Sequence, residues 1–150
     1  MHTPTPPALE LDSFNIFELR EHARARLPRG IFEYMDRGTE DEVALSNNRE
    51  AFERLKLVPR VLRNVSVIDQ TTELFGRSMS MPLALGATGA AGLIWHDGDL
   101  ALARAAANAG IPFTISSAST MPIEQIAAAG GRQWFQLYPW RPACSARWNY

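Results

Sequence analysis

The chain has 150 residues, 46% of them apolar and 21% charged, with a formal net charge of −1; this is enough for one ordinary domain with a core, and it excludes a disordered segment. The near-neutral balance, with arginines scattered among acids, gives no electrostatic case for a nucleic acid or an anionic membrane as partner. A single cysteine, Cys144, excludes an intrachain disulfide, and His2, His22 and His96 fall in no ligand spacing, so no metal is expected.

Residues 1–12 are Pro-rich and lack the basic start and apolar run of a secretion signal, so they read as a mobile lead-in. The longest weakly polar run, Leu83 to Trp95, is interrupted by Gly86, Thr88, Gly89 and Gly92 and is too short to span a bilayer. A soluble chain in a reducing, cytoplasmic setting is the expectation.

In chain order, Asn15 with Glu18 three residues on predicts a helix start, and Ile16, Phe17, Leu19, Ala23 and Leu27 form a stripe that stops at Pro28. A second helix is predicted over about 29–36, with Ile31, Phe32 and Met35 on one face and Gly38 as a left-handed C-cap. Thr39 and Glu42 have capping-box spacing for a third helix running through Phe52. An irregular extended stretch follows over 55–67. Strands are predicted at 70–74 and 81–85, separated by a turn at Gly76-Arg77-Ser78. Pro82 to Leu85 reads as a buried strand. Asp97-Gly98-Asp99 opens an Ala-rich helix to Ala109, with Asp97 as a cap and Gly110 as the stop. Next come a strand at 112–115, a short helix at 122–129 stopped by Gly130-Gly131, and a strand at 133–137.

Strands alternating with helices through short connectors predict α/β architecture with parallel strands. Gly86-Ala87-Thr88-Gly89-Ala90-Ala91-Gly92 lacks the dinucleotide fingerprint spacing, and no Walker A motif is present, so a (β/α) barrel is the remaining expectation. Barrel ligands bind at the C-terminal strand ends, and the polar groups sit there: Ala87-Thr88-Gly89, Ser116-Ser117, and Gln136 with Tyr138. Strand alternation turns Gln136 and Tyr138 to the same side. An ordinary βα turn also wants small residues at 87–89, and Ser116 could cap its own turn. A buried amide at Gln136 in an apolar strand needs a partner.

These segments, taken together and in order, resemble the N-terminal portion of the FMN-dependent α-hydroxy acid dehydrogenases and oxidases, the group that includes glycolate oxidase, flavocytochrome b2 and mandelate dehydrogenase. The residues that carry the resemblance are Arg26-Leu27-Pro28, Phe32-Glu33-Tyr34, Gly38-Thr39-Glu40-Asp41-Glu42, Asn48-Arg49-Glu50-Ala51-Phe52, Pro59 to Ser66, Met81-Pro82, Ala87-Thr88-Gly89, Gly98-Asp99, Ser116 to Ser119 and Trp134 to Tyr138. The mandelate dehydrogenase branch is the most similar, through Thr88-Gly89, Trp95, Asp99 to Arg104 and Gly110 to Phe113.

The resemblance implies an α/β fold that is the N-terminal part of a (β/α)8 TIM barrel, preceded by a helical segment and left incomplete. It divides the chain into a lead-in at 1–12, a partial domain at 13–140 (helical segment 13–54, first βα units 80–140) and an unmatched tail at 141–150. It implies FMN as cofactor, with Ala87, Thr88 and Gly89 around the flavin N5 and Ser116 and Gln136 on the polar edge of the ring. Tyr34 and Tyr138 would bind a small 2-hydroxy acid, lactate- or mandelate-like, which is oxidised to the 2-oxo acid. Gly89, where relatives carry Gly or Ala, bears on oxygen access to the reduced flavin. Ala118 stands where glycolate oxidase has Trp, leaving room for a bulky acid, and Ala87 stands where the family usually has Pro.

The family's general base, its carboxylate-binding arginine and its phosphate loops come from later sequence, so no catalytic residue is assigned here and a fragment inactive by itself is expected. Full-length relatives are often homo-oligomeric, and some of mandelate type associate with membranes through a segment with no counterpart in this chain. A non-catalytic half-barrel that docks on a partner, and a gene fragment without function, stay open as alternatives.

Overall fold

A computed structural model describes residues 13–139; the expectations for 1–12 and for the tail at 141–150 lie outside the described residues. The chain divides into two units between Pro59 and Arg60.

The first unit holds α1 (Ile16–Arg26), α2 (Arg29–Asp36) and α3 (Val43–Arg54). α1 begins as its sequence predicts: Asn15 Oδ1 accepts from the Phe17 and Glu18 N–H groups at 2.9 and 3.1 Å. Glu18 reciprocates by accepting from the Phe14 N–H at 2.8 Å and from Asn15 Nδ2 at 3.0 Å. Asn15→Ala removes the Oδ1 acceptor and the Nδ2 donor, leaving only the Phe14–Glu18 bond, and is expected to cost about 1 kcal/mol of helix stability, read as faster amide exchange at Phe17 and Glu18.

Arg20 joins α1 to α2. Its guanidinium makes two bonds to Asp36, at 2.5 and 2.6 Å, and lies 5.6 Å from the Phe32 ring centroid. The hydrogen bond from Arg20 holds the Asp36 carboxyl below the usual carboxylate range, and Arg29 does the same to Glu33. Arg49 of α3 stacks 4.4 Å from the centroid of Phe17 in α1.

Two expectations fail around α3. Gly38 is not left-handed. α2 instead ends on the extended Arg37, and Gly38 serves close approach, since a Cβ there would lie 3.0 Å from Leu45 Cβ. The Thr39–Glu42 capping box does not form, because Glu42 itself is left-handed at φ 60° and caps nothing through its side chain. Thr39 to Glu42 is a turn closed by the Glu42 N–H on Thr39 O, and the Glu42 carboxylate reaches back to the Gly38 N–H at 3.1 Å. α3 also runs two residues past Phe52, to Arg54.

The second unit contains β1 (Thr72–Leu74), β2 (Arg77–Met79), α4 (Ala91–Ile94), α5 (Gly98–Ala109), β3 (Phe113–Ile115), α6 (Ile123–Ala127) and β4 (Gln133–Phe135). β1 and β2 form an antiparallel hairpin with Thr72 opposite Met79 and Leu74 opposite Arg77. The hairpin turn is Phe75-Gly76, with φ 52° and 68°, not Gly76-Arg77-Ser78. Two successive positive φ angles match the right-handed twist of the strands, and Arg77 and Ser78 become strand.

The predicted strand at 81–85 shrinks to one parallel bridge between Leu85 and Phe113. Its residues are not buried as a central strand would be: Pro82, Leu83 and Ala84 are exposed. α4 is an extra element that periodicity could not reveal in four residues. Asp97 precedes α5 in a left-handed conformation, φ 53°, which carries its carboxylate away from the helix N–H groups, so it makes no side-chain cap. Gly110 at φ 67° ends α5 as expected, and β4 stops two residues short of Leu137.

Leu85, β3 and β4 run parallel: Phe113 lies opposite Gln133 and Ile115 opposite Phe135. α5 and α6 are the crossovers. The core gathers Ala103 and Ala106 of α5, Ile111, Phe113 and Ile115 around β3, and Ile126 of α6, with Met81, Leu85, Leu102, Met121 and Ala129 packed against it. The small side chains of α5 let the helix lie close on the strands. The hairpin closes the end where the strands begin: Arg132 donates to Ser78 O at 2.9 Å, Ser80 N–H to Gly110 O at 3.2 Å, and Phe75 meets Trp134 edge to face. The opposite end, where the strands finish, is open.

Candidate functional site

Because the Leu85 bridge, β3 and β4 run parallel, the segments that follow them emerge at one end. Those segments are Gly86 to Ala90 after Leu85, Ser116 to Met121 after β3, and Gln136 to Tyr138 after β4. Hydrogen bonds join them into one rim. The Ala90 N–H donates to Ala118 O at 2.9 Å, and the Ser117 N–H donates to Gln136 Oε1 at 3.2 Å. Ser117 Oγ donates to Gln136 O, while the Gln136 N–H extends the ladder to Ile115 O at 2.9 Å.

Ser116, only 6% exposed, accepts from the Ala118 N–H at 3.1 Å through its hydroxyl oxygen, which leaves its proton to donate elsewhere. Gln136 spends its amide oxygen on Ser117, so among the described residues its Nε2 donor has no partner. The N–H groups of Ala87, Thr88 and Gly89 likewise make no intramolecular hydrogen bond among the described residues. Gly89 faces Ala118: a Cβ on Gly89 would lie 3.3 Å from Ala118 Cβ and 3.8 Å from Ser116 Oγ. The rim therefore carries several donors and very little side-chain bulk. That suits a flat ligand with acceptor atoms along one edge, whose plane can come close to the backbone.

Of the residues singled out from sequence, Ala87, Thr88, Gly89, Ser116 and Gln136 lie on this rim. Tyr138 follows β4 and is half exposed. Tyr34 belongs to the first unit, on α2, with 73% of its surface exposed. His96 is exposed and lies 3.5 Å from the Asp97 carboxylate.

Sequence reading missed one group behind the rim. Asp99, in the first turn of α5, is 1% exposed; its Oδ2 accepts from the Thr120 hydroxyl at 3.2 Å, and Thr120 Oγ1 in turn accepts from the Gly92 N–H at 3.1 Å. Among the described residues, Asp99 Oδ1 is buried without a hydrogen-bond partner. The available signal was a carboxylate directly after a glycine at the head of an Ala-rich helix.

Two hollows of about 520 and about 560 Å3 lie in the first unit. The second is lined by Arg20, Arg24, Arg29 and Arg37, but Glu21, Glu33 and Asp36 already pair with these cations. Neither hollow offers the unpartnered donors that the rim does. Among the described residues no metal-ligand cluster forms, and no helix is long and apolar enough to cross a membrane.

A family model described as FMN-dependent dehydrogenase matches residues 23–146. The chain is 44% identical over 126 residues to (S)-mandelate dehydrogenase of Pseudomonas putida, an alignment covering 83% of this chain and 32% of that protein. It is 46% identical over 122 residues to L-lactate dehydrogenase of Xanthomonas campestris pv. campestris, covering 81% of this chain and 32% of that one. The crystal structure of the monotopic membrane protein (S)-mandelate dehydrogenase superposes with a TM-score of 0.79 at 44% identity, over 85% of this chain and 34% of its own. The chain thus spans about a third of the length of the curated relatives it matches.

Proposed function

Since the chain belongs to the FMN-dependent dehydrogenase family, we propose that its rim is the part of a flavin site that holds the ring, within a (β/α)8 barrel enzyme that oxidises an L-2-hydroxy acid to the 2-oxo acid. The observation that carries this reading is the joining of the segments after Leu85, β3 and β4 into one surface of small side chains and donors that are unpartnered among the described residues. The residues present fit the cofactor. The amides of Ala87, Thr88 and Gly89 would face N5, while the Ser116 hydroxyl and the Gln136 Nε2 would donate to the acceptor edge of the ring. When bound, FMN accepts the two electrons released from the substrate's α-carbon.

Tyr34 and Tyr138 are assigned to the substrate: a phenol O–H can donate to a carboxylate or hydroxyl oxygen without adding a charge. The small Ala118 leaves volume beside the ring, which favours a bulky or aromatic 2-hydroxy acid such as mandelate over lactate. The proton-abstracting base and the phosphate-binding loops are assigned to none of the described residues.

If only the ring is held here, lumiflavin, which lacks the ribityl phosphate, should bind the chain about as well as FMN does. Quenching of flavin fluorescence measures both. Gln136→Leu deletes the edge donor and is expected to weaken both ligands about tenfold, the value of one hydrogen bond of roughly 1.4 kcal/mol. Absence of saturable quenching by either flavin, or equal binding by wild type and Gln136→Leu, would count against the assignment.

A further inference from the structure

We propose that Asp99 and Thr120 are positioning residues for the rim: the bond from the exposed Thr120 hydroxyl to the buried Asp99 carboxylate fixes the segment carrying Gly89 to the segment carrying Ala118. The inference rests on the flavin reading for its purpose, but not for its geometry.

Thr120 belongs to the rim segment that follows β3, and Asp99 lies behind it. Asp99 sits in the first turn of α5, where the helix N-terminus favours a negative charge, and Thr120 lies two residues beyond Ala118. Their hydroxyl–carboxylate bond at 3.2 Å continues to the Gly92 N–H at 3.1 Å, so one chain of bonds crosses from α5 through the 116–121 segment to α4. The packing at this crossing is tight. A Cβ on Gly92 would lie 2.2 Å from Thr120 Oγ1, and one on Gly98 would lie 2.5 Å from Ala91 O. Ala90 and Asp97, which flank α4, are both held left-handed without being glycine, at φ 55° and 53°.

Structural stability alone is a poor account of this arrangement. A carboxylate that is 1% exposed with one oxygen unpartnered is a less favourable core group than an aliphatic side chain of similar size. What it supplies is direction. A hydroxyl held between a fixed acceptor and a fixed donor sets the position of the 116–121 backbone relative to the 89–92 backbone. The only direct bond between those two backbones at the rim, among the described residues, is the Ala90 N–H on Ala118 O. Gly89 and Ala118 face each other at close range, a Cβ on Gly89 lying 3.3 Å from Ala118 Cβ, so their separation is the dimension the pair controls.

The test uses the full 150-residue chain carrying Thr120→Val, which keeps the side-chain shape and loses the hydroxyl, beside Thr120→Ser, which restores it. Amide exchange is followed at Gly92 and Ala90. Gly92 loses its own acceptor in the valine variant and will exchange faster under any account. Ala90 bonds to Ala118 and responds only if the pair positions the rim. The expected result is exchange at Ala90 about tenfold faster in Thr120→Val and within about twofold of wild type in Thr120→Ser, with lumiflavin affinity falling and recovering in parallel. Ala90 exchange unchanged in Thr120→Val overturns the proposal, and so does faster Ala90 exchange with undiminished lumiflavin affinity. If wild type binds no lumiflavin, the flavin reading fails and Ala90 still decides the positioning. Should Thr120→Val not fold, Asp99→Leu removes only the carboxylate: faster exchange at Ala90 with Gly92 still protected supports the pair, and protection of both overturns it.

Discussion

Phe113→Ala is expected to unfold the second unit, or to bring it to the edge of unfolding. Phe113 is 1% exposed and sits on β3, between the Leu85 bridge and β4. It is the largest member of a core whose other buried members are Ala103, Ala106, Ile111, Ile115 and Ile126. Two alanines in that group contribute little apolar area, so the phenyl ring carries a large share of the burial. Truncating a buried Phe costs about 3–5 kcal/mol, against a total of about 5–15 kcal/mol for a whole ordinary domain. Urea unfolding followed by tryptophan fluorescence should show the transition shifted to low denaturant or gone. A midpoint unchanged from wild type would mean that β3 is not the centre of the core.

Gly98→Ala should be nearly as damaging, against the usual trend for a helix. Alanine in place of glycine inside a helix ordinarily gains about 1 kcal/mol. At Gly98 the new methyl would stand 2.5 Å from Ala91 O and 2.9 Å from Ala91 C, about 1 Å inside the ordinary contact distance of ~3.5 Å. Both atoms are backbone, so no flexible side chain can move aside, and α4 must shift relative to α5. Overpacking of this kind costs up to about 3 kcal/mol, which outweighs the helix gain. Gly30→Ala in α2 is the control, since nothing lies within 4 Å of its added Cβ. The same denaturant titration should find Gly98→Ala destabilised and Gly30→Ala unchanged or stabilised; equal behaviour of the two would show that the α4–α5 crossing is slack.

Local rules made much of this architecture legible, and their failures are local too. α1, α2 and α5 could be bounded from Asn15, Pro28 and Gly110 because each of these residues acts on its own turn. The Thr39–Glu42 spacing looked like a capping box, but spacing says nothing about φ, and a left-handed Glu42 turns the same residues into a turn. Phe75 is an unusual occupant of a two-residue hairpin turn, so composition drew the turn one residue too late. α4 is shorter than the period that would reveal it.

At the rim, Ser116 and Gln136 stood out because polar groups directly after apolar runs need partners. Asp99 did not stand out. An aspartate in a helix's first turn is ordinarily a solvated, favourable charge, and only Thr120, far along the chain, shows that this one is buried. Burial that depends on a distant side chain has no periodic signature.

The bonds that join the rim span moderate stretches of sequence, 28 residues from Gly92 to Thr120 and 19 from Ser117 to Gln136. Loop closure over such separations is entropically mild, and low contact order makes for fast assembly. During synthesis the cradle can therefore take shape as soon as Gln136 has left the ribosome, without waiting for any later strand to pair. An order of events in which the rim forms ahead of more distant contacts follows from the topology of these segments.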